Sequence, residues 1–427
     1  MRSVIAALPL LALAACGGAS GPQTVGSIAP PASGGGTGGT GGTGGTGGGI
    51  GGGTGTGTST PTPTPANLLD VSTETTFNAV GSFHSLDVTE TGVYASSGPV
   101  LYQGNASTVR APSGAVIYNP RDGIFTVQFT DQKAGMGTGT VRFQDPAHRT
   151  DYGGSAGPEW GVPTNLTDFN YLEAVGPTAR AAGTEPGDFG RTDSVTFFYQ
   201  RPGSQTKYVS LAGYVRNAFD RTADPLVFKA TTTSNFQRGA MVFGTETIRS
   251  QVPITGTGTY TGGLLATMVS NTTIDTPNRM PNYFQWITGS STITLDFGRS
   301  TMAMLLTGTV LPATYGGQLV PGNQVSIQGG STFEAKGSGK IDLVNTGGFT
   351  GGFSGADNYV RFVNNGVTTI VNTTSVSQGG SVAGASSIDG AFFGPNAVNV
   401  GGNLRIVGGI PDQRVDILGA FTGAKQP

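Results

Sequence analysis

The chain has 427 residues, of which 73 are Gly, and only 11% are charged. Lys and Arg number 23 against 25 Asp and Glu, with one Cys, two His and a formal net charge of −2. Globular chains average about 7% Gly and about 25% charge, so this balance leaves no electrostatic footprint for nucleic acid, and the Cys and His counts exclude disulfide frameworks, Cys-type zinc sites and iron–sulfur clusters.

The chain opens on the cationic Met1-Arg2-Ser3, and residues 4–15 are uncharged and apolar but for Pro9. That run is shorter than the roughly 20 residues a spanning helix needs. Residues 1–15 therefore read as a secretory signal peptide. The stretch Leu13-Ala14-Ala15-Cys16 resembles the bacterial lipobox, whose Cys is diacylated and becomes the new N-terminus. Gly17 follows where inner-membrane lipoproteins carry Asp, which implies delivery to the outer membrane. Each buried acyl methylene contributes about 0.8 kcal/mol, so several chains (palmitate or the like) anchor stably.

Residues 16–66 form the next segment. No charge occurs between Arg2 and Asp70; residues 34–57 are Gly and Thr except Ile50, and residues 58–65 read TSTPTPTP. Such composition cannot bury a core, so a disordered Gly/Thr/Pro tether is predicted. About 45 such residues reach roughly 35–40 Å root-mean-square.

From Asn67 onward the signal is β. Phe125-Thr126-Val127-Gln128-Phe129-Thr130 and Ile293-Thr294-Leu295-Asp296-Phe297 alternate with period two, as half-buried strands do. Ser194 to Tyr199 and Tyr208 to Val215 are β-branched and aromatic runs. Residues 165–182 are the best helix candidate. Two halves separate by texture: residues 67–238 are more irregular, whereas residues 239–427 have short strands dense in Gly. Gly recurring in antiparallel strands marks bulges and barrel corners. A membrane-spanning barrel is not expected, because no paired aromatic girdles or terminal aromatic strand occur.

Catalytic and metal constellations do not emerge. Gly337-Ser338-Gly339-Lys340 lacks the first Gly and the final Ser/Thr of a phosphate loop. Asp145, His148 and Asp151 are spaced by three, yet one loop seldom closes a metal site. His84 and His148, in loop-like flanks, read as hydrogen-bonded or exposed groups rather than haem ligands. Glu185 and Asp188 read as solvated. The aromatic stretches around Tyr152 and Trp160, and Tyr283-Phe284-Gln285-Trp286, are the candidate binding elements, since exposed Trp and Tyr dominate hot spots. Trp286 sits in a strand-like run and is expected in the core. The candidate ligand-binding residues are thus Tyr152, Trp160 and His148.

Four stretches carry a family resemblance. They are Met241 to Thr247, Ile254 to Gly262, Ser291 to Gly298 with Leu306-Thr307-Gly308, and the ending Gly390-Ala391-Phe392-Phe393-Gly394-Pro395-Asn396-Ala397, Gly401-Gly402, Gly419-Ala420-Phe421-Thr422-Gly423. They resemble the β-barrel domain of the transferrin-binding protein B family of bacterial surface lipoproteins. The resemblance implies a barrel over residues 239–427, opened by Met241 to Thr247 and closed by a final hairpin, with an irregular β handle over residues 67–238. It also implies exposure at the cell surface and a ligand held by handle loops. Full-length members have two handle–barrel lobes and bind transferrin; this chain has room for one lobe, and single-lobe relatives bind haemoglobin, haem or complement factor H.

The expectation is a mainly β protein: a disordered tether, a handle-like β domain and a small antiparallel barrel of eight-stranded type. It is a monomeric, non-enzymatic, outer-membrane lipoprotein held by lipid at Cys16. It binds a host or environmental protein or haem, with no resident cofactor required. The other reading is a structural or adhesive surface lipoprotein without a specific solute.

Overall fold

The β-branched and alternating runs become strands throughout. A computed structural model describes residues 67–91, 95–96, 102–129, 139–144, 161–164, 166–175, 191–224, 229–271, 283–315, 318–319, 322, 325–373, 375–376, 380–381, 386–410 and 413–427. The tether, residues 16–66, lies outside them.

Leaving aside two-residue ladders, the first sheet comprises β1 (Thr75–Thr91), β2 (Tyr102–Ala106), β3 (Gly114–Asn119), β4 (Ile124–Phe129), β5 (Gly139–Gln144), β6 (Phe169–Val175), β7 (Arg191–Gln200), β8 (Val209–Asp224) and β9 (Lys229–Gly244). Its order is β5-β4-β3-β1-β9-β8-β7-β6, antiparallel throughout, with β2 on β1 beside β3. The sheet curls until Phe143 of one edge strand and Leu172 of the other share a core with Phe125, Phe197, Tyr199 and Phe243. Alternation on β4 is as the sequence predicts, with Phe125 and Val127 buried between half-buried neighbours. Residues 165–182 hold β6, so the helix expected there is a strand through residues 169–175. Its Phe-Asn-Tyr-Leu run turns Leu172 into the core and pairs with the aromatic strand β7, which outweighs weak helical periodicity.

The second sheet comprises β10 (Thr257–Asn271), β11 (Tyr283–Asp296), β12 (Thr301–Val310), β13 (Thr332–Asp342), β14 (Gly348–Gly352), β15 (Tyr359–Asn364), β16 (Val367–Ile370), β17 (Ser387–Phe393), β18 (Asn399–Ile410) and β19 (Gln413–Lys425). Eight of these close a ring, β10-β11-β12-β13-β14-β17-β18-β19 and back to β10. The hairpin β15–β16 extends from the free end of β13. The eight-stranded barrel of the sequence reading is therefore present, and the Gly390–Gly423 pattern makes its last three strands. Met241 to Gly244, expected to open the barrel, instead finishes β9 in the first sheet; the change of sheet falls between Gly244 and Thr257. Gly337 to Lys340 lies within β13, in no phosphate loop.

The barrel lumen is filled. Tyr260, Ile293, Phe333, Phe349, Phe392 and Phe421 belong to one buried cluster, as expected of an eight-stranded ring, whose interior is just wide enough for side chains. The Tyr260 hydroxyl donates to the Ala397 carbonyl at 2.9 Å, and burial pushes its pKa up to about 12. On β12, buried Met302, Met304 and Leu306 alternate with exposed Thr301 and Ala303. On β13, Thr332, Lys336, Ser338 and Lys340 are exposed. This part of the wall has the polarity of a water-facing surface.

Gly390 is packed against this filled lumen. A Cβ there would lie 2.3 Å from Cζ of the buried Phe349 ring. Overpacking a dense core costs about 1–3 kcal/mol. Gly390→Ala is expected to lower stability by that amount, read as a falling midpoint in urea monitored by far-ultraviolet circular dichroism. An unchanged midpoint would show that Phe349 can yield.

Candidate functional site

Three strands of the first sheet break the period-two rule. Residues 194–200, 209–215 and 234–244 are buried without alternation. Their inner side chains fill the first core; their outer ones, Phe198, Val209, Leu211, Val215, Ala240 and Val242, pack on Leu265, Trp286, Ala391, Phe393 and Ala420 of the barrel wall. A second patch joins Leu86 and Phe236 to Val269 and Phe284. Strands covered on both faces read as continuous apolar runs. Gly213 on β8 makes room for the outer aromatic, since a Cβ there would stand 2.0 Å from Phe198 Cζ.

Trp286 is a core residue of this seam, as expected from its run. Its ring meets Phe198 edge-on at 5.7 Å, and its Nε1–H donates to the Gly161 carbonyl at 2.6 Å. The residue directly after Trp160 is thereby tied to the barrel.

A polar layer is sealed inside the seam. His84, at the middle of β1, is fully buried. Its Nδ1 lies 2.8 Å from Thr267 Oγ1, and the Thr267 hydroxyl donates to Leu418 O at 3.3 Å. With that proton committed, the hydroxyl accepts from Nδ1–H. Nε2 stands 3.9 Å from Asp416 Oδ1. Burial would raise the Asp416 carboxyl, but the His84 ring and the Arg405 and Arg414 guanidinium groups outweigh it and hold the pKa below the usual carboxylate range. Arg238, 1% exposed, donates to the carbonyls of Gln237 and Arg216 at 2.8 and 3.2 Å and lies 5.7 Å over the Phe284 ring.

The turn after β2 docks on the far side of the seam. Val109 N–H donates to Asp389 Oδ2 at 2.8 Å, Arg110 Nη2 to Val344 O at 2.6 Å, and Asn403 Nδ2 to Ser107 O. Burial pushes the Asp389 carboxyl up to about 6, against the opposing pull of the Val109 N–H and the Arg110 charge. At the other end, Asn399 Oδ1 accepts from the backbone N–H groups of Lys207 and Tyr208 at 3.1 and 3.0 Å.

Of the residues singled out in the sequence, Cys16, His148, Tyr152 and Trp160 lie outside the described residues, as do Asp145, Asp151, Glu185 and Asp188. His84 is not in a loop-like flank: it is a strand residue held by Thr267 and Asp416, which removes it from haem ligation. Among the described residues no cluster of three His, Cys, Asp or Glu could hold a metal. Asp389, Asp416 and Arg238 escaped the sequence reading. Their signal is isolation, one charge within an apolar strand of a charge-poor chain, as in Val415-Asp416-Ile417-Leu418.

No family model and no curated protein matches the sequence. Solved structures do match. Transferrin binding protein B of Haemophilus parasuis Hp5 is 12% identical over 82% of this chain and 76% of its own, with a TM-score of 0.26. Intact Ap-TbpB, with N and C lobes, is 12% identical over 83% and 78%, with a TM-score of 0.29. The N-lobe of lactoferrin binding protein B from Moraxella bovis is 10% identical over 54% and 79%, with a TM-score of 0.24. Likeness at this level carries no inference about ligand or mechanism.

Asp389 makes the seam sensitive to pH. Its folded pKa of about 6 exceeds the unfolded value of about 3.9. Its stabilising contribution is therefore complete below about pH 4 and lost as pH rises through about 6, a change on the order of 2–3 kcal/mol. Asp389→Asn keeps an acceptor for Val109 without the charge. The substitution is expected to stabilise the protein at pH 7 relative to the parent and to lose that advantage near pH 4, measured by urea unfolding at both values. A pH-independent difference would overturn the assignment. Separately, Trp286→Phe keeps an aromatic ring, smaller than the indole, but leaves the Gly161 carbonyl without its donor, and should destabilise the protein by about 1–3 kcal/mol, read in the same melts.

Proposed function

We propose that this chain is a lipid-anchored surface protein of the outer membrane that presents a ligand-binding β handle on a solid barrel. The ligand is a host or environmental protein or haem carrier linked to iron. One observation carries the reading: the barrel lumen is filled with side chains while one stretch of its wall is spent on gripping the first sheet. The barrel then serves as a buttress rather than a container, and recognition falls to the outer edges and loops of the first sheet. The segment with His148, Tyr152 and Trp160 leaves after edge strand β5 and is rejoined at Gly161, where Trp286 ties it down. The lipobox at Cys16 and the Gly/Thr/Pro run behind it support an anchored, outward-reaching domain. The names of the similar structures, transferrin- and lactoferrin-binding proteins, suggest the probes to try first.

Capture by the full chain, immobilised through its N-terminus, tests this. Serum proteins, lactoferrin, haemoglobin and haem are passed over it. One of these should be retained, and joint replacement of His148, Tyr152 and Trp160 by Ala should weaken retention at least about tenfold, the usual scale of a lost hot spot. Retention of none would remove the iron-linked reading and leave an adhesive role. In cells, Cys16→Ala should move the protein from the membrane to the soluble fraction.

A further inference from the structure

Antiparallel order gathers one set of strand ends at a single rim of the barrel: the starts of β10, β12, β14 and β18 and the ends of β11, β13, β17 and β19. Lone surface apolar side chains are ordinary. Yet of the seven large ones exposed among the described residues, three stand on this rim: Ile248 at 65%, Ile254 at 78% and Val344 at 67%. The two isoleucines are held outward by their own segment. Val252, between them, belongs to the buried lumen cluster. On one side Thr247 N–H donates to the Phe392 carbonyl at 2.8 Å, and on the other the Gly256 carbonyl accepts from Phe297 N–H at 2.9 Å. The tether joins the fold at the same rim. Leu68 N–H donates to the Lys207 carbonyl at 2.7 Å, the Lys207 and Tyr208 N–H groups bond to Asn399 at the start of β18, and the Tyr208 carbonyl accepts from Thr245 N–H at 2.9 Å. We propose that this rim is the membrane-facing end of the protein, seated on an anionic lipid surface, with its isoleucines in the headgroup layer and its cations on lipid phosphates; this rests on the lipid anchor at Cys16 proposed above.

Chemistry and tethering select a bilayer as the occupant. Isoleucine and valine have no polar tip, so they give a partner no hydrogen-bond register to read; a headgroup layer needs none. Arg249 and Lys425 are exposed beside them. Arg299 and Lys340 are 84% and 65% exposed while holding Asp296 and Asp342 at 3.8 and 3.3 Å. Lys207 and Arg110 flank the rim, against the exposed acids Asp70 and Glu246. The balance is mildly cationic, which suits an anionic lipid surface and is screened by salt. Such a patch is weak by itself. A flexible tether of about 45 residues, reaching roughly 35–40 Å, holds it beside the bilayer at an effective concentration on the order of millimolar. Weak contact is then enough to orient the domain, and the opposite rim, with exposed Ser326, faces away from lipid.

The test uses the lipidated full chain. Cys16 is its only Cys and is taken up by the lipid, so one introduced thiol carries a dye at a chosen place. The dye is put at Ser250→Cys, in the segment between the isoleucines, or at Ser326→Cys on the opposite rim. The protein is reconstituted into vesicles of phosphatidylcholine and phosphatidylglycerol that include spin-labelled headgroups, which quench a nearby dye. Quenching at position 250 should exceed that at 326 by about threefold or more, as for a rim docked most of the time. Ile248→Ser together with Ile254→Ser should weaken docking at least about tenfold and bring the two positions level. Arg249→Glu should lower quenching at position 250 in these vesicles and leave it unchanged in phosphatidylcholine alone. Equal quenching at both positions, or an excess at 250 that survives the double substitution, would overturn the proposal. Flotation with the vesicles reports the anchor separately. A chain that fails to float removes the anchor reading and this one with it, whereas a chain that floats and quenches equally overturns this one alone.

Discussion

Everything in this molecule depends on a stretch of barrel wall that is dry on both sides. A closed eight-stranded ring can face water on its outside, and around β12 and β13 it does, with Thr, Ser and Lys. Along β10, β18 and β19 it cannot, because the first sheet lies there. Residues 263–270, 406–410 and 415–423 are buried without alternation. These include the pair of strands that closes the ring, β10 with β19. The ladder that completes the barrel is thus shielded from solvent by the sheet beside it, and competition from water for its hydrogen bonds is removed. Closure and docking are one event in energetic terms.

That constraint explains the composition. Two twisted sheets approach closely only where side chains are small or where one ring fits a gap, and Gly213 under Phe198 is such a gap. Charge is scarce because much of the wall is interior. Where charge does enter, it is compensated: Asp416 by His84, Arg405 and Arg414, Arg238 by two carbonyls and the Phe284 face. Deleting one member of such a set leaves another stranded, so these contacts hold position more than they add stability. Asp389 differs, since burial dominates its surroundings. It holds the docked turn in either protonation state but prefers the neutral one.

Legibility in the sequence followed burial. Strands with one wet face announced themselves: β4, and the end of β11, alternate in the sequence and in space. The glycine-rich ending was legible as a closing hairpin through its resemblance to a known barrel domain, and it makes the last three barrel strands. Strands dry on both faces were recognisable as strands but not as a seam, since nothing local in Ser194 to Tyr199 says which of Phe197 and Phe198 faces a second body. His84 shows the same limit. Its neighbours Gly, Ser and Ser look loop-like, yet small residues are what a strand needs where another sheet presses on it. The 165–182 stretch went astray because short-range helical periodicity was weighed without its partner, β7. The Gly244–Thr257 sheet change is likewise invisible, for β9 continues without a break in texture past residue 238.

A seam of this kind also constrains the binding surface proposed for the first sheet. Loops that spring from a free sheet would move with it; loops that spring from a sheet glued to a barrel start from fixed points. Gly161 is one such point, held by the Trp286 indole from the opposite body. The turn at Ser107, Val109 and Arg110 is another, held by Asn403, Asp389 and the Val344 carbonyl. The price of this rigidity is a set of polar groups buried at the joint.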